Sequence, residues 1–551
     1  MSTFSRRDLF ALAGAGLAGC ATASPSAFAA RSDWEKGDVV HILPTASASE
    51  IMLKVSFASP QDDARLLVNG RMAEGDPRDS EGRFWRFRAR DLAPGRRHEL
   101  VLRNGDGPLC ASWTLATLPP ADAEVESFRI LSFTCAGGLE SARSIGGVEA
   151  FRPLALRQRL LERALDFNPD IMIANGDHIY WDQRAWLEHP VEEIRELTRE
   201  AYDEYGYFDK DALMTSGENE ALIKRLADPQ IAHLYGTRLR SLPTYFIGDD
   251  HDYFENDDAF EEYISFPPDD FMLRAGRAVQ RLYYPEFLPS ETRPVAFPGA
   301  SAPENGPGIS EAFGTIRAGR LFEAALYDCG RFLTLKHKAA GLVPPRVEEW
   351  LVARTRAEDT HHFLHVPSHP AGWTAGKWRE WYPDVVAPTD SNAGVVVSTH
   401  GGAAGELTIE REKYAWQSGW FEQHQRLLSA LSEQRSRPAA MLSGDLHAIG
   451  HGRIIRSREL DFTPNPVHSI LAGPLGSSTA GWPTFARGVP PTPSALIELE
   501  QAGVPDERNG FTLIDVEPDR MIVRQFSWRE PDPVESIDTL KPDRVIEIAR
   551  R

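Results

Sequence analysis

Five short apolar runs in this chain end in side chains able to bind metals, and that pattern restricts the fold more than any other feature. "FRILSFTC" closes on Cys135 and "PDIMIANGD" on Asp177. "PTYFIGDDHD" reaches Asp250 and His251, "HHFLHVPSHP" reaches His369, and "PAAMLSGDLHAIG" carries Asp445 and His447. Short apolar runs bounded by Gly, Pro, Asn and Asp read as buried strands. Amphipathic stretches lie between them. "RPLALRQRLLERALDF" puts Leu154, Leu161 and Leu165 on one helical face, and "GWFEQHQRLLSALSEQ" reads as another helix. Strands alternating with helices predict an α/β domain, either singly or layered as α/β/β/α. In such sheets, ligands gather at the carboxyl ends of the strands. One polar residue at a strand end means little, but five argue for a single constellation.

The densest of these ends is "IGDDHDYFENDD", residues 247–258, in which six of twelve side chains are acidic around one imidazole. Packed carboxylates raise one another's pKa and repel unless a cation neutralises them. The segment is not an EF-hand loop, because its acids fall at the wrong positions and no glycine supplies the turn. The competing reading is a solvated acidic loop with a surface histidine. The four other strand ends weigh against it.

At 551 residues the chain has room for more than one domain. Its 60 Lys and Arg stand against 80 Asp and Glu, a net charge of −20. Such a surface repels nucleic acids and anionic membranes, so no nucleic-acid partner is expected. A phosphate substrate would need a local positive centre, which a bound metal supplies. Residues 34–120 contain short alternating runs such as "EIMLKVSFAS" and "HELVLRNGDG" separated by turn residues, which predicts a small β-sandwich of immunoglobulin or fibronectin type. "LPPADAEVES" at 118–127 reads as a linker, residues 128–530 as the main domain and 531–551 as a C-terminal tail. Residues 186–240 read as a charged helical insertion and 285–312 as a long Pro- and Gly-rich loop.

The first 30 residues read as an address. "FSRRDLFALAGAGLAGC" pairs Arg6 and Arg7 before an apolar run too short for a permanent membrane span. It resembles a twin-arginine export signal, which predicts a periplasmic or secreted protein whose partner is the twin-arginine machinery. "SAFAA" offers cleavage near Ala29, whereas "LAGC" would give a lipid anchor at Cys20. Cleavage leaves Cys110, Cys135 and Cys329, an odd number for an exported chain, so at least one thiol has another use.

Four motifs, "SFTC" at 132–135, "NGDHIYWD" at 175–182, "GDDHDYFEND" at 248–257 and "SGDLH" at 443–447, resemble the PhoD-like alkaline phosphatase/phosphodiesterase group of metallophosphoesterases. The resemblance spans about residues 128–480. It implies a layered αββα core behind a small β domain. It also implies a site of ferric iron and calcium that hydrolyses phosphate esters by attack of a metal-bound hydroxide. Cys135, Asp177, Tyr180 and Asp445 match the iron positions, with Asp177 bridging. Asp250 and Asn256 match the calcium positions. The residue types agree with this: a thiolate, carboxylates and a phenolate suit a hard, highly charged ion, and oxygen ligands suit calcium. His251 is expected to stabilise the transition state or protonate the leaving alkoxide, and His447 to orient phosphate or water.

The chain departs from the family at three places. Gly248 and Asp252 stand where the family usually has Trp and Glu. His369 replaces a more usual amide, and as a ligand it would move the second site toward manganese or zinc. His361 and His365 are read as structural or solvent-facing, because Pro367 argues for a strand there. "GKWREWYPD" at 376–384 resembles a segment lining the substrate entrance, with Trp378 and Tyr382 expected to contact the leaving group. No GxSxG elbow points to a serine nucleophile. Two other readings remain open: a diester hydrolase for a phospholipid, a polymer or a nucleotide diester, and a non-catalytic metal- or glycan-binding protein.

Overall fold

The computed structural model describes residues 34–139, 149–181, 187, 192–254, 259–260, 263–264, 266–375, 379–385, 407–408, 416–487 and 490–551. The expected signal segment, Cys20, Asn256 and Trp378 lie outside these residues. The chain is a mixed α/β fold with several sheets.

Residues 34–120 form two four-stranded antiparallel sheets. Strand Arg97–Arg103 alternates outward and inward side chains, the period of a half-buried strand. Strand Ile51–Phe57 is buried along its whole length. The reason is Lys54, whose Nζ reaches out of this unit to the end of helix Asp270–Tyr283. It donates to Arg281 O at 2.9 Å, to Gln280 O at 3.3 Å and to Glu286 Oε1 at 2.9 Å. His41 Nε2 meets Tyr283 O at 3.0 Å on the same helix end. Last-turn helix carbonyls lack partners within the helix, and here the β unit provides them.

Two larger sheets form the core. The first runs in the order Thr244–Ile247, Ile171–Asn175, Phe128–Phe133, Asn509–Glu517, Arg520–Trp528 and Arg544–Ala549. Its first three strands are parallel. The second sheet contains Phe313–Ala318, Phe322–Tyr327, His362–Pro367, Ala440–Ser443, Val467–Ala472 and Ile449–Ser457 in that order. Within it, Phe322–Tyr327, His362–Pro367, Ala440–Ser443 and Val467–Ala472 are parallel. One apolar cluster joins the sheets, with Ile130, Ile173 and Ile514 of the first packed with Ala324, Leu364 and Leu442 of the second. Helices Pro345–Ala357 and Ser418–Ser432 cover the second sheet through Trp350, Leu351, Trp420 and Phe421.

Helix Leu154–Leu165 buries Leu156, Leu160, Leu161 and Leu165, while Leu154 at its first turn is only half-buried. The apolar face is therefore rotated from the one expected. Residues 531–551, read as a tail, are built into the domain. Val534–Thr539 lies on helix Leu154–Leu165 through the paired Arg159–Asp538 contacts, and Arg544–Ala549 completes the edge of the first sheet. The strand's own alternation, "RVIEIA", explains this: Ile548 is buried and its neighbours face out.

Candidate metal centre

Parallel strands end at one edge, and both sheets turn that edge toward the same place. Cys135, Asp177, Asp249, His369 and Asp445 each lie two residues beyond a strand end: Phe133, Asn175, Ile247, Pro367 and Ser443. The turns are strained. Cys135, Asp177, Asp445 and His447 have φ of 48°, 60°, 68° and 49°, a region that side chains with a Cβ rarely occupy. Such strain persists only where the surroundings over-determine it. Here Thr134 Oγ1 donates to Asn175 O at 2.6 Å and accepts from Asp445 N at 3.1 Å, while Asn175 Nδ2 donates to Pro367 O at 3.1 Å. These bonds tie the two sheets together at the site. Gly444 permits this approach, since a Cβ there would meet Asn175 O at 2.2 Å and Thr134 Oγ1 at 2.5 Å.

Three donor groups result, each with its ligand atoms within 4.8 Å of one another: Cys135, Asp177 and His447; Asp177, Asp250 and His251; and Asp249, His369 and Asp445. Asp177 belongs to two of them. In the first group Cys135 Sγ lies 3.3 Å and Tyr180 OH 3.0 Å from Asp177 Oδ2. His447 Nε2 is 3.4 Å from Tyr180 OH and 4.0 Å from Asp177 Oδ2. Ser477 Oγ contacts His447 Nδ1 at 2.5 Å, which turns Nε2 inward. Burial, and then Asp177 and Cys135, push the Tyr180 phenol well above its ordinary value, so without a cation it is a neutral donor.

On the other side, Asp249 Oδ1 lies 3.0 Å from His369 Nδ1 and accepts from Ser368 Oγ at 3.0 Å. Its Oδ2 is buried with no hydrogen-bond partner among the described residues. Burial works against the His369 cation. The Asp249 carboxylate reverses this and leaves the imidazole above its ordinary value. Arg379 Nη2 stands 3.4 Å from Asp250 and 3.5 Å from Asp249, and all three side chains are fully buried. His251 Nε2 is 3.9 Å from Asp250 Oδ2, with its ring 4.3 Å from that of Tyr180.

Asp252 explains how one departure from the family pattern is accommodated. Its carboxylate accepts from the backbone N–H of Asp177 at 2.9 Å, His178 at 2.8 Å and Asp249 at 2.9 Å. The short side chain thus holds two site loops at once. Burial raises its pKa to about 7 against those bonds. Gly248 answers the other departure. A Cβ there would meet Asp328 Oδ2 and Tyr253 OH, each at 2.9 Å, so a side chain at 248 would have to displace that hydrogen-bonded pair.

The structure therefore brings together Cys135, Asp177, Tyr180, Asp250, His251, His369, Asp445 and His447. It does not place Tyr382 at an entrance. That ring is fully buried among Phe421 and His424, and its hydroxyl accepts from Gly372 N at 3.2 Å, so it packs the core. His365 lies between Thr355 Oγ1 at 2.8 Å and Tyr327 OH at 3.2 Å, inside the second sheet's cover. Sequence reasoning missed Asp249, Arg379 and Ser477 as site residues. Asp249 was detectable from its place past the strand, which is that of the other four. Arg379 and Ser477 carry no such mark.

The donors fit a pair of cations. They offer sulfur, carboxylate, phenol and imidazole, a shared carboxylate, and an orphaned buried oxygen that a cation would satisfy. No protein-family model and no curated protein matches the chain. Solved structures do match, among them two that extend over nine-tenths of the chain. PhoD matches at a TM-score of 0.52 with 12% identity, covering 93% of this chain and 90% of that one. Purple acid phosphatase PPD1 of yellow lupin matches at 0.52 with 11% identity, covering 93% of this chain and 74% of that one. The chain has the fold seen in PhoD and in this purple acid phosphatase.

Proposed function

We propose that the protein is a metal-dependent hydrolase of phosphate esters. The observation that carries this reading is three donor groups at the joined edge of the two sheets, two of them sharing Asp177. Cys135, Asp177, Tyr180 and His447 would hold one cation, and Asp177, Asp250, His369 and Asp445 would hold the other. This moves His447 from phosphate orientation to cation binding, and Asp445 from the first ion to the second. Bound cations would neutralise the phosphoryl oxygens and activate water. His251 faces the space beside Asp250 and Tyr180 and donates a proton to the leaving alkoxide. Asp252 holds both loops, and Asp249 orients His369 through Nδ1.

The sulfur and phenol of the first group favour ferric iron. The carboxylates of the second favour calcium, while His369 favours manganese or zinc there. The core reads as a layered αββα arrangement and residues 34–120 as an immunoglobulin- or fibronectin-type unit. The paired Arg6–Arg7 signal supports export to the periplasm or beyond, with cleavage near Ala29. The test is a rate comparison on residues 31–551 with an aryl phosphate monoester and the matching diester, each with and without added iron plus calcium. Cation-dependent hydrolysis of either is expected, and the ratio assigns phosphatase or phosphodiesterase. Absence of turnover on both, with two bound cations verified by elemental analysis, would reject the hydrolase reading.

A further inference from the structure

A row of aromatic rings leaves the metal centre beside Tyr180 and His447. It starts at Tyr180, whose ring centroid is 4.7 Å from that of Phe151. Phe151 stacks on Trp482 at 6.1 Å with 21° between the planes. Trp482 lies 5.8 Å from the His447 ring and 6.2 Å from Phe485. Together with Ala150 these rings form a small apolar cluster distinct from the cores under the two sheets. Trp482 is buried, while Phe151 and Phe485 are partly buried, so accessibility rises along the row away from Tyr180.

The row is held rigidly. Phe151 forms a β-bridge with Ser477, the residue whose hydroxyl contacts His447, and Arg152 N donates to Gly476 O at 3.0 Å. The short helix Trp482–Arg487 is pinned by Thr484 Oγ1 donating to Glu507 Oε1 at 2.6 Å. Two stretches over three hundred residues apart in sequence thus meet beside Tyr180 and His447. The opposite side of the centre carries Asp249, Asp250, Asp445 and Arg379. Tyr180 and His447 thus have a row of aromatic surface beside them, whereas Asp249 and Asp250 have the buried Arg379 guanidinium, which itself lies over the Phe266 ring.

We propose that Phe151, Trp482 and Phe485 form a wall that binds the organic part of the ester, and that the substrate class is a phosphate ester of an aromatic or apolar alcohol. This rests on the hydrolase reading above. A ring stacked along the wall gains apolar burial and offset-stacking contacts that a polyol does not. The anionic phosphoryl end is then directed to the cations. The net charge of −20 weighs further against polyanionic alcohols.

The test uses the metal-loaded protein and has two arms. In the first, calorimetry compares phenylphosphonate with methylphosphonate, and turnover compares phenyl phosphate with glycerol phosphate. Tighter binding of the phenyl ligand and a lower KM for phenyl phosphate are expected. In the second, Trp482→Ala should reduce the phenyl-over-methyl and phenyl-over-glycerol preferences about tenfold through affinity and KM, and Trp482→Phe should restore most of each. Equal loss on both substrates, with no change in either ratio, would show a structural role and overturn the wall. Phenyl-selective binding without any turnover would keep the wall and sink the hydrolase reading. Turnover without phenyl preference would do the reverse.

Discussion

The two halves of the metal centre are built on opposite principles. Around Cys135, Asp177, Tyr180 and His447, one carboxylate is surrounded by a thiol, a phenol and an imidazole, and they contact one another at 3.0–4.0 Å. Around Asp249, Asp250 and Asp445, three carboxylates converge, answered by Arg379 and a His369 that its neighbour holds above the ordinary value. The first half can satisfy itself with its own protons. The second cannot without a cation, because like charges in a buried site repel and desolvation adds to the cost. A centre of this kind would bind its two ions with different dependence on pH and on the ion offered. The sulfur- and phenol-bearing half must lose protons to load. The other half brings its carboxylates and gives up only the His369 proton.

The largest effect should come from the residue both halves share. Asp177→Asn removes the common carboxylate while keeping its size. A loss of activity on the order of a thousandfold is expected, together with depletion of both cations, since several kcal/mol of charge stabilisation disappear. Retention of both ions by elemental analysis would break the claim that the halves meet at Asp177.

Next come variants that act on one half alone. Cys135→Ser should empty the first position and spare the second, and Asp250→Asn should do the opposite. Each should cost about a hundredfold in activity, in the range seen when a metal site loses part of its support. If either variant empties both positions equally, the centre is one cooperative unit and the comparison fails. Between the halves stands Asp252. Its Asn variant keeps one acceptor oxygen but turns an N–H2 donor toward backbone N–H groups that now donate to it. A loss of about tenfold to a hundredfold is expected, with both cations bound more weakly. Normal metal affinity would limit Asp252 to a local turn.

Much of this was legible in the sequence, for a physical reason. Parallel strands and the ligands at their ends are written locally, as an apolar run followed by Gly and Asp. "PDIMIANGD" and "PAAMLSGDLHAIG" announce both strand and ligand within a dozen residues. What stayed hidden depends on contacts far apart in the chain. Tyr382 looks like an entrance residue until Phe421 and His424 enclose it. The strand at 544–549 looks like a tail until Arg520–Trp528 offers it an edge. Lys54 stands in the buried strand Ile51–Phe57, and its partners come from the end of helix Asp270–Tyr283, over two hundred residues away. The aromatic row joins residue 151 to residue 482, and no local pattern links them.

The smallest expected effect separates the halves by stability against pH in the chelated protein. His178, beside Asp177 in the chain, is driven by burial to about 3, although its Nε2 meets Ile247 O at 2.9 Å. Its unfolded form takes up a proton near 6.5 and its folded form does not, so it destabilises the fold as pH falls from 6.5 toward 3. His369 has the opposite sign. Its folded pKa is raised, so it contributes stability fully below 6.5 and loses that contribution as pH rises through the folded value. His178→Gln should therefore flatten the fall in melting temperature on acidification, and His369→Gln should steepen it, each by about 2 °C between pH 7 and pH 5. Adding cations should abolish the His369 effect, because a ligating imidazole cannot also hold the proton, and should leave the His178 effect in place. Identical pH slopes for both variants in the chelated protein would mean that Asp249 does not hold a proton on His369, and the charge assigned to the second half would then be wrong.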